Sequence, residues 1–201
     1  MWRLRKSCLF SGKADLLYEK VDLTQLWHDY NKETPRCVEI CSVNIDGSNL
    51  RQLTHNQGRK TPIVATHNHV LFCLIEEGYH YDAELLMMKA DGTALERIVT
   101  GKSNGTYEET AIFPDYRSII FVDDIDSPYW YDLYMKDLFG DGRAKRLTKN
   151  GGCNGANPAI SPDGRFIAFM EMPNGKRTGV ERDVRIIDTN TGIIKTICKN
   201  Y

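Results

Sequence analysis

Apolar and polar residues alternate along this chain in short runs of about four to eight. That is the period of half-buried strands, not of helices. The clearest run is Asn157 to Met170, NPAISPDGRFIAFM. Ile160 leads into Ser161-Pro162-Asp163-Gly164, and Phe166, Ile167, Ala168 and Phe169 lead out. Proline presets φ for a turn and glycine accepts a positive φ, so the stretch predicts strand, tight turn, strand.

The unit recurs. With Phe169 as the anchor, Phe121, Phe72 and Tyr18 take the same place, at steps of 48, 49 and 54 residues. Before the anchors stand Ile160, Ile112, Ile63 and Leu9, and closer in stand Ile167, Ile119, Val70 and Leu16. The Pro-Asp of the turn persists as Pro114-Asp115 and gives way to Ala65-Thr66 and Ser11-Gly12 in the earlier repeats. A second turn pair follows each anchor: Asp46-Gly47, Asp91-Gly92, Asp141-Gly142 and Thr191-Gly192, each flanked by strand-like runs. Each repeat then reads as four short antiparallel strands, A to D, at the spacing of propeller blades. The predicted fold class is all-β: a β-propeller of four-stranded antiparallel blades at about 7–54, 61–100, 110–148 and 158–198, as one domain over 1–201. The twelve repeat-position residues named above, the four anchors included, are its expected core.

Because the strands alternate in direction, the A–B and C–D turns share one rim, and the B–C loops and D–A connectors share the other. The second rim carries the long loops, and aromatic residues collect there: Trp27, His28 and Tyr30, then Tyr79, His80 and Tyr81, then Tyr129, Trp130 and Tyr131. Flat apolar surface with a hydrogen-bonding edge suits a peptide or a sugar. The same rings would also serve to plug gaps between blades. In the fourth repeat the series gives way to Lys176, Arg177 and Arg182. Leu23, Leu26, Trp27 and Tyr30 fall at helical spacing, so a short helix is expected there.

His28, His55 and His80 share this rim with Asp29, Asp82, Asp123, Asp124, Asp126 and Asp132. Such groups can hold a divalent metal, but no local spacing is diagnostic, and the acids read as solvated loop charges. His67 and His69 read as structural. No catalytic residue, metal ligand or cofactor is assigned. There is no G-x-S-x-G, and KNGGCNGAN lacks the Lys-Ser/Thr ending of a phosphate loop.

The formal net charge of −1 argues against a dedicated nucleic-acid or anionic-membrane binder. No apolar run approaches the roughly 18 residues of a membrane span. Cys37 and Cys41 would share a strand face about 13 Å apart, too far for a disulfide or one metal. The six cysteines therefore read as small hydrophobes in a reducing compartment.

The segments SPDGRFIAF, DGSNLRQLT and MKDLFGDGRAKRLT resemble the WD-repeat-like propeller repeats of the TolB family, and the resemblance runs from about Ser7 to Cys198. It implies a non-catalytic interaction module whose long-loop rim binds a protein or peptide, or a carbohydrate. The same repeat occurs in oligogalacturonate lyases and in the propellers that precede the catalytic domains of prolyl-oligopeptidase-like serine peptidases. A metal-dependent polysaccharide lyase and the N-terminal propeller of such a peptidase are therefore the alternatives. TolB-like relatives are exported, whereas MWRLRKSCLFSGKAD is too broken for a signal peptide, so a cytoplasmic chain is the default expectation. TolB-like rings usually have more than four blades. Four blades are expected either to form an open arc, part of a larger propeller, or to self-associate through the terminal blades.

Overall fold

The computed structural model describes residues 2–11, 15–22, 37–44, 46–55, 58–65, 68–75, 83–99, 107, 109–126, 129–153, 156–173 and 181–199. They form sixteen strands and no α-helix, in two compact units, 1–100 and 101–201. The helix expected near Trp27 lies outside the described residues.

The first unit runs β1 (Trp2–Ser11), β2 (Asp15–Asp22), β3 (Cys37–Asn44), β4 (Arg51–Gln52), β5 (Gly58–Ala65), β6 (His69–Ile75), β7 (Ala83–Lys89) and β8 (Glu96–Arg97). Antiparallel pairing builds two four-stranded sheets, β1-β2-β3-β4 and β5-β6-β7-β8. A short parallel ladder, Cys37 to Gly58 and Val38 to Arg59, also ties β3 to β5. In the second unit, β9 (Thr110–Ile112), β10 (Ser118–Asp123), β11 (Asp132–Asp137) and β12 (Lys145–Arg146) form one antiparallel sheet. The other is β13 (Ala159–Ile160), β14 (Phe166–Glu171), β15 (Asp183–Asp188) and β16 (Ile194–Cys198). The repeats are thus four four-stranded antiparallel blades.

Strand pairing confirms the repeat register of strands B and C, whereas strand A holds it only in the second unit. There Ile112 and Ile160 stand opposite Ile119 and Ile167, but in the first unit Leu9 stands opposite Leu17 and Val70 opposite Ala65. Tyr18, Phe72, Phe121 and Phe169 stand opposite Cys41, Leu86, Tyr134 and Arg185. The SPDG turn closes through Gly164 N–H donating to Ser161 O at 2.8 Å, and the Asp163 carboxylate accepts from Arg165 N at 3.0 Å. The equivalent turn closes through Tyr116 N–H donating to Phe113 O at 2.9 Å. The turns expected at Gly12-Lys13 and Thr66-His67 lie outside the described residues.

Three expectations need correction. Asp141-Gly142 is not a tight hairpin; residues 138–144 make a wider loop, gathered by Lys136 Nζ donating to Gly140 O and Gly142 O, each at 2.7 Å. The outer strands β4, β8 and β12 shrink to two residues each, and only β16 runs to five. Ile63, Ile112 and Ile160 are half-buried, because strand A is an edge strand at those positions and has a neighbour on one side only.

Val70, Phe72, Ile119, Phe121, Ile167 and Phe169 are buried as expected. The side chains of Leu9, Leu16 and Tyr18 lie outside the description. Within the first unit, Ile40 and Leu53 of one blade meet Val70, Phe72, Leu74, Leu86 and Met88 of the next. Within the second, Ile120, Val122 and Leu133 meet Ile167, Phe169 and Ile187. Burying such faces against each other is what gives blades their stability. Cys41, Cys73 and Cys153 are buried, Cys198 is exposed, and none of these four is in a disulfide.

Candidate binding site

Each strand C carries a carboxylate two residues before the position opposite the anchor: Glu39, Glu84, Asp132 and Asp183. In the first blade Thr54 Oγ1 donates to Glu39 and accepts from Ile40 N–H at 2.9 Å. In the third, Thr148 Oγ1 donates to Asp132 at 2.5 Å and accepts from Leu133 N–H at 3.0 Å. The cation differs. Asp132 takes Arg146 Nη2 from its own outer strand at 2.5 Å, and Glu84 takes Arg97 likewise. Glu39 takes Lys60 Nζ, from the first strand of the next blade, at 3.4 Å. Glu39, Glu84 and Asp132 thus tie strands together at the long-loop end of their sheets.

The connector after Thr148 is shaped by glycine. Gly151 has φ +65° and donates its N–H to Asp132 at 3.2 Å. A Cβ there would lie 2.1 Å from Trp130 Cε3, so the indole rests directly on bare backbone. At Gly152 a Cβ would lie 2.9 Å from Met172 O and 3.1 Å from Glu171 Cγ. The connector passes between Trp130 and the end of β14, held by Cys153 N–H to Tyr131 O at 2.9 Å and Met172 N–H to Gly152 O at 2.8 Å. A larger residue at either position closes that passage.

Beside this loop lies a cleft of about 630 Å³, bounded by Trp130, Lys149, Asn150, Glu171, Arg185 and Lys199, with Pro173, Asp183 and Thr196. The first unit has a cleft of about 510 Å³ at the matching place in its repeat. There Leu74 and Leu86 line the wall, where the second unit has Glu171 and Arg185. One repeat position therefore places two leucines in one cleft and an ion pair in the other, while Lys60, Glu84 and Arg97 also line the first. Arg185 Nη1 pairs with Glu171, which is 4% exposed, and Asn150 Nδ2 donates to the same carboxylate at 3.4 Å. Arg185 Nε is buried without a hydrogen-bond partner among the described residues. A bare guanidinium N–H in a charged pocket favours an added acceptor nearby.

Of the nine residues expected at the rim, three fall within the described residues. Trp130 borders the charged cleft and is 40% exposed. Tyr129 is exposed, and its N–H donates to Asp124 at 2.7 Å. Tyr131 is half-buried against the apolar core of the second unit, so it plugs rather than presents. Trp27, His28, Tyr30, Tyr79, His80 and Tyr81 lie outside the described residues, as do Lys176 and Arg177. Arg182 is half-buried and donates to Glu181 O at 3.3 Å.

The rim acids are less solvated than their position suggests. Asp123, Asp124 and Asp132 are buried. Asp123 accepts from Tyr107 Oη at 2.8 Å and from Asp124 N–H at 2.7 Å, because the start and end of each loop must satisfy their own backbone donors. Among the described residues no three His, Cys, Asp or Glu side chains are grouped so as to hold a metal ion.

Lys149, Asn150, Glu171 and Arg185 were missed as site residues. The signal was present in the repeat alignment: Arg185 occupies the position that holds Cys41, Leu86 and Tyr134 elsewhere.

No protein-family model matches the sequence, and no curated protein matches it. Solved structures do match. TolB from Acinetobacter baumannii matches with a TM-score of 0.61 at 22% identity, over 96% of this chain and 43% of that one. An oligogalacturonate lyase in complex with manganese matches with a TM-score of 0.69 at 16% identity, over 98% of this chain and 54% of that one. A prolyl endopeptidase matches with a TM-score of 0.65 at 10% identity, over 98% of this chain and 29% of that one. This chain spans about half of the first two proteins. At these identities the likeness is one of fold, and the fold is that of a TolB-like β-propeller.

Proposed function

We propose that the chain acts as a non-catalytic interaction module. It holds a protein or peptide partner at its long-loop rim, through the charged cleft of the second unit. The observation that carries this reading is Trp130: a large aromatic side chain seated on Gly151 and still 40% exposed beside a mixed-charge pocket. Rigid, part-exposed aromatics flanked by charge are typical binding anchors. The test is affinity capture from a lysate of the source organism with wild type and Trp130→Ala. Specific partners identified by mass spectrometry should be depleted about tenfold or more in the variant, with the melting temperature nearly unchanged. A large fall in melting temperature with capture intact would assign the indole to packing instead.

The catalytic reading is a metal-dependent polysaccharide lyase, favoured by the likeness to the manganese-bound oligogalacturonate lyase. Likeness to a prolyl endopeptidase supports a peptidase-associated propeller in the same way. Metal content after dialysis, together with an assay for unsaturated uronide products, separates the lyase from the module. A stoichiometric transition metal with product formation selects the lyase.

A further inference from the structure

We propose that the second unit binds an extended acidic peptide, which adds to the outer edge of β16 as a further strand and sets a carboxylate in the charged cleft. The inference rests on the interaction-module reading and names its ligand.

Two independent features meet at this place. The first is a strand edge. β16 ends the order β13-β14-β15-β16, so its outer side has no strand partner among the described residues. It spans five residues, against two for β4, β8 and β12. Its pairing with β15 shifts register between Arg185–Thr196 and Val184–Cys198, with Ile197 as the extra residue. Its regular row of N–H and C=O groups therefore runs over Ile194–Thr196, still longer than the two-residue outer strands offer. Thr196, near the middle of β16, pairs across to Arg185 and lines the cleft. A peptide residue set opposite Thr196 therefore points its side chain to the cleft face.

The second feature is charge. Lys149, Arg185 and Lys199 face Glu171 and Asp183 around the cleft. Glu171 is already taken by Arg185 and Asn150, and Asp183 is half-buried and engaged. Lys149 and Lys199 are exposed, and their ammonium groups pair with no carboxylate among the described residues. The surplus is positive, next to an exposed indole. A carboxylate entering beside Thr196 meets Lys199 and Arg185, and the chain that carries it can lie across Trp130. Ile197, the extra residue at the register shift, is 64% exposed beside the same edge. The favoured peptide therefore carries both acidic and apolar residues. An acidic oligosaccharide would satisfy the lysines but leave the strand edge unpaired, and this favours the peptide.

The test uses the full chain and fluorescein-labelled octapeptides in which Glu alternates with Val. Matched peptides carry Gln for Glu, or one central Pro, and an alginate trisaccharide serves as the sugar acid. Fluorescence anisotropy at low and physiological salt is the readout. Expected is saturable binding of the Glu peptide, at least tenfold weaker for the Gln and Pro peptides. The variant K149E/K199E should lose at least tenfold in affinity for the Glu peptide at an unchanged melting temperature, since both lysines are exposed. Equal binding of Glu and Gln peptides, indifference to charge reversal, tighter binding of alginate than of the peptide, or no binding of any peptide would each overturn the inference. If in any of these cases lysate capture still depends on Trp130, the module reading stands and only the ligand class falls. If that dependence is also lost, both fall.

Discussion

Lys60 Nζ stands 3.4 Å from the carboxylate of Glu39, with 2% of the lysine side chain and 8% of the glutamate side chain exposed. A buried pair of this kind links the first strand of one blade to the third strand of the blade before it. In the second unit the matching carboxylate, Asp132, is served by Arg146 of its own sheet. Gln52 stands at the Arg146 position in the first blade, so the cation has to come from elsewhere.

Lys60→Met should therefore be strongly destabilising, by about 3–5 kcal/mol, because it strands a buried carboxylate. Adding Glu39→Gln should recover most of that loss, since Thr54 can still hydrogen-bond the amide. Urea denaturation of the two variants checks this. A single-variant loss under about 1 kcal/mol would show that the charges do not share a buried site.

Gly151 carries two separable constraints, a positive φ and contact with Trp130. Gly47 carries one: its φ is +82°, and nothing lies within 4 Å of an added Cβ. Gly47→Ala should cost about 1–2 kcal/mol, the left-handed backbone penalty alone. Gly151→Ala should cost more and should shift the near-ultraviolet dichroism of tryptophan. Combining it with Trp130→Ala should return the loss towards the Gly47 value. Equal losses for both single variants would mean that the indole does not rest on Gly151.

The fold was legible because its determinants are local. The Pro162-Asp163-Gly164 turn and the alternation about Phe121 each need only neighbouring residues to be read. The charged cleft was not legible in that way. Glu171 and Arg185 meet only once β14 pairs with β15, and Trp130 acquires its seat only when the Gly151-Gly152 connector passes beneath it. KNGGCNGAN read as a surface connector because glycine signals turns as readily as close approach. Tyr131 and Trp130 are adjacent in sequence, yet one joins the apolar core and the other borders the cleft, a division that strand direction alone decides. The long outer strand β16 was also hidden. IIKTIC and LERIVT carry similar β-propensity, and pairing with the neighbouring strand sets how far each ladder runs.

Phe121 is 0% exposed and lies between Tyr107, at 5.7 Å between ring centroids, and Tyr134, at 5.9 Å. Phe121→Ala should cost about 3–5 kcal/mol, from lost transfer energy and the cavity left behind. Phe166, in the fourth blade, is only half-buried beneath the Arg165 guanidinium, 4.8 Å from its centroid. Phe166→Ala should cost about 1–2 kcal/mol. Chemical denaturation of the two variants ranks them, and a reversed order would disprove the repeat register.

Cys153 supplies a pH dependence. Its thiol is 0% exposed, and burial, aided by the Glu171 and Asp132 carboxylates, pushes its pKa up to about 12. The folded chain thus keeps a proton that the unfolded chain releases near the ordinary thiol value of about 8.5. The stability linked to this proton is fully present below that value and is lost as pH rises towards the folded pKa. The slope should approach about 1.4 kcal/mol per pH unit within the window. Urea midpoints at pH 8 and pH 10.5 should therefore fall further for wild type than for Cys153→Ala. The Tyr134 hydroxyl, raised by burial, adds a loss common to both proteins above about pH 10, so the difference between the two isolates the thiol. In the native protein at pH 8, iodoacetamide should label Cys198, which is exposed, and spare Cys153. Rapid native labelling of Cys153, or identical pH slopes in the two proteins, would show that the thiol is not buried beside Thr148 as the fold places it.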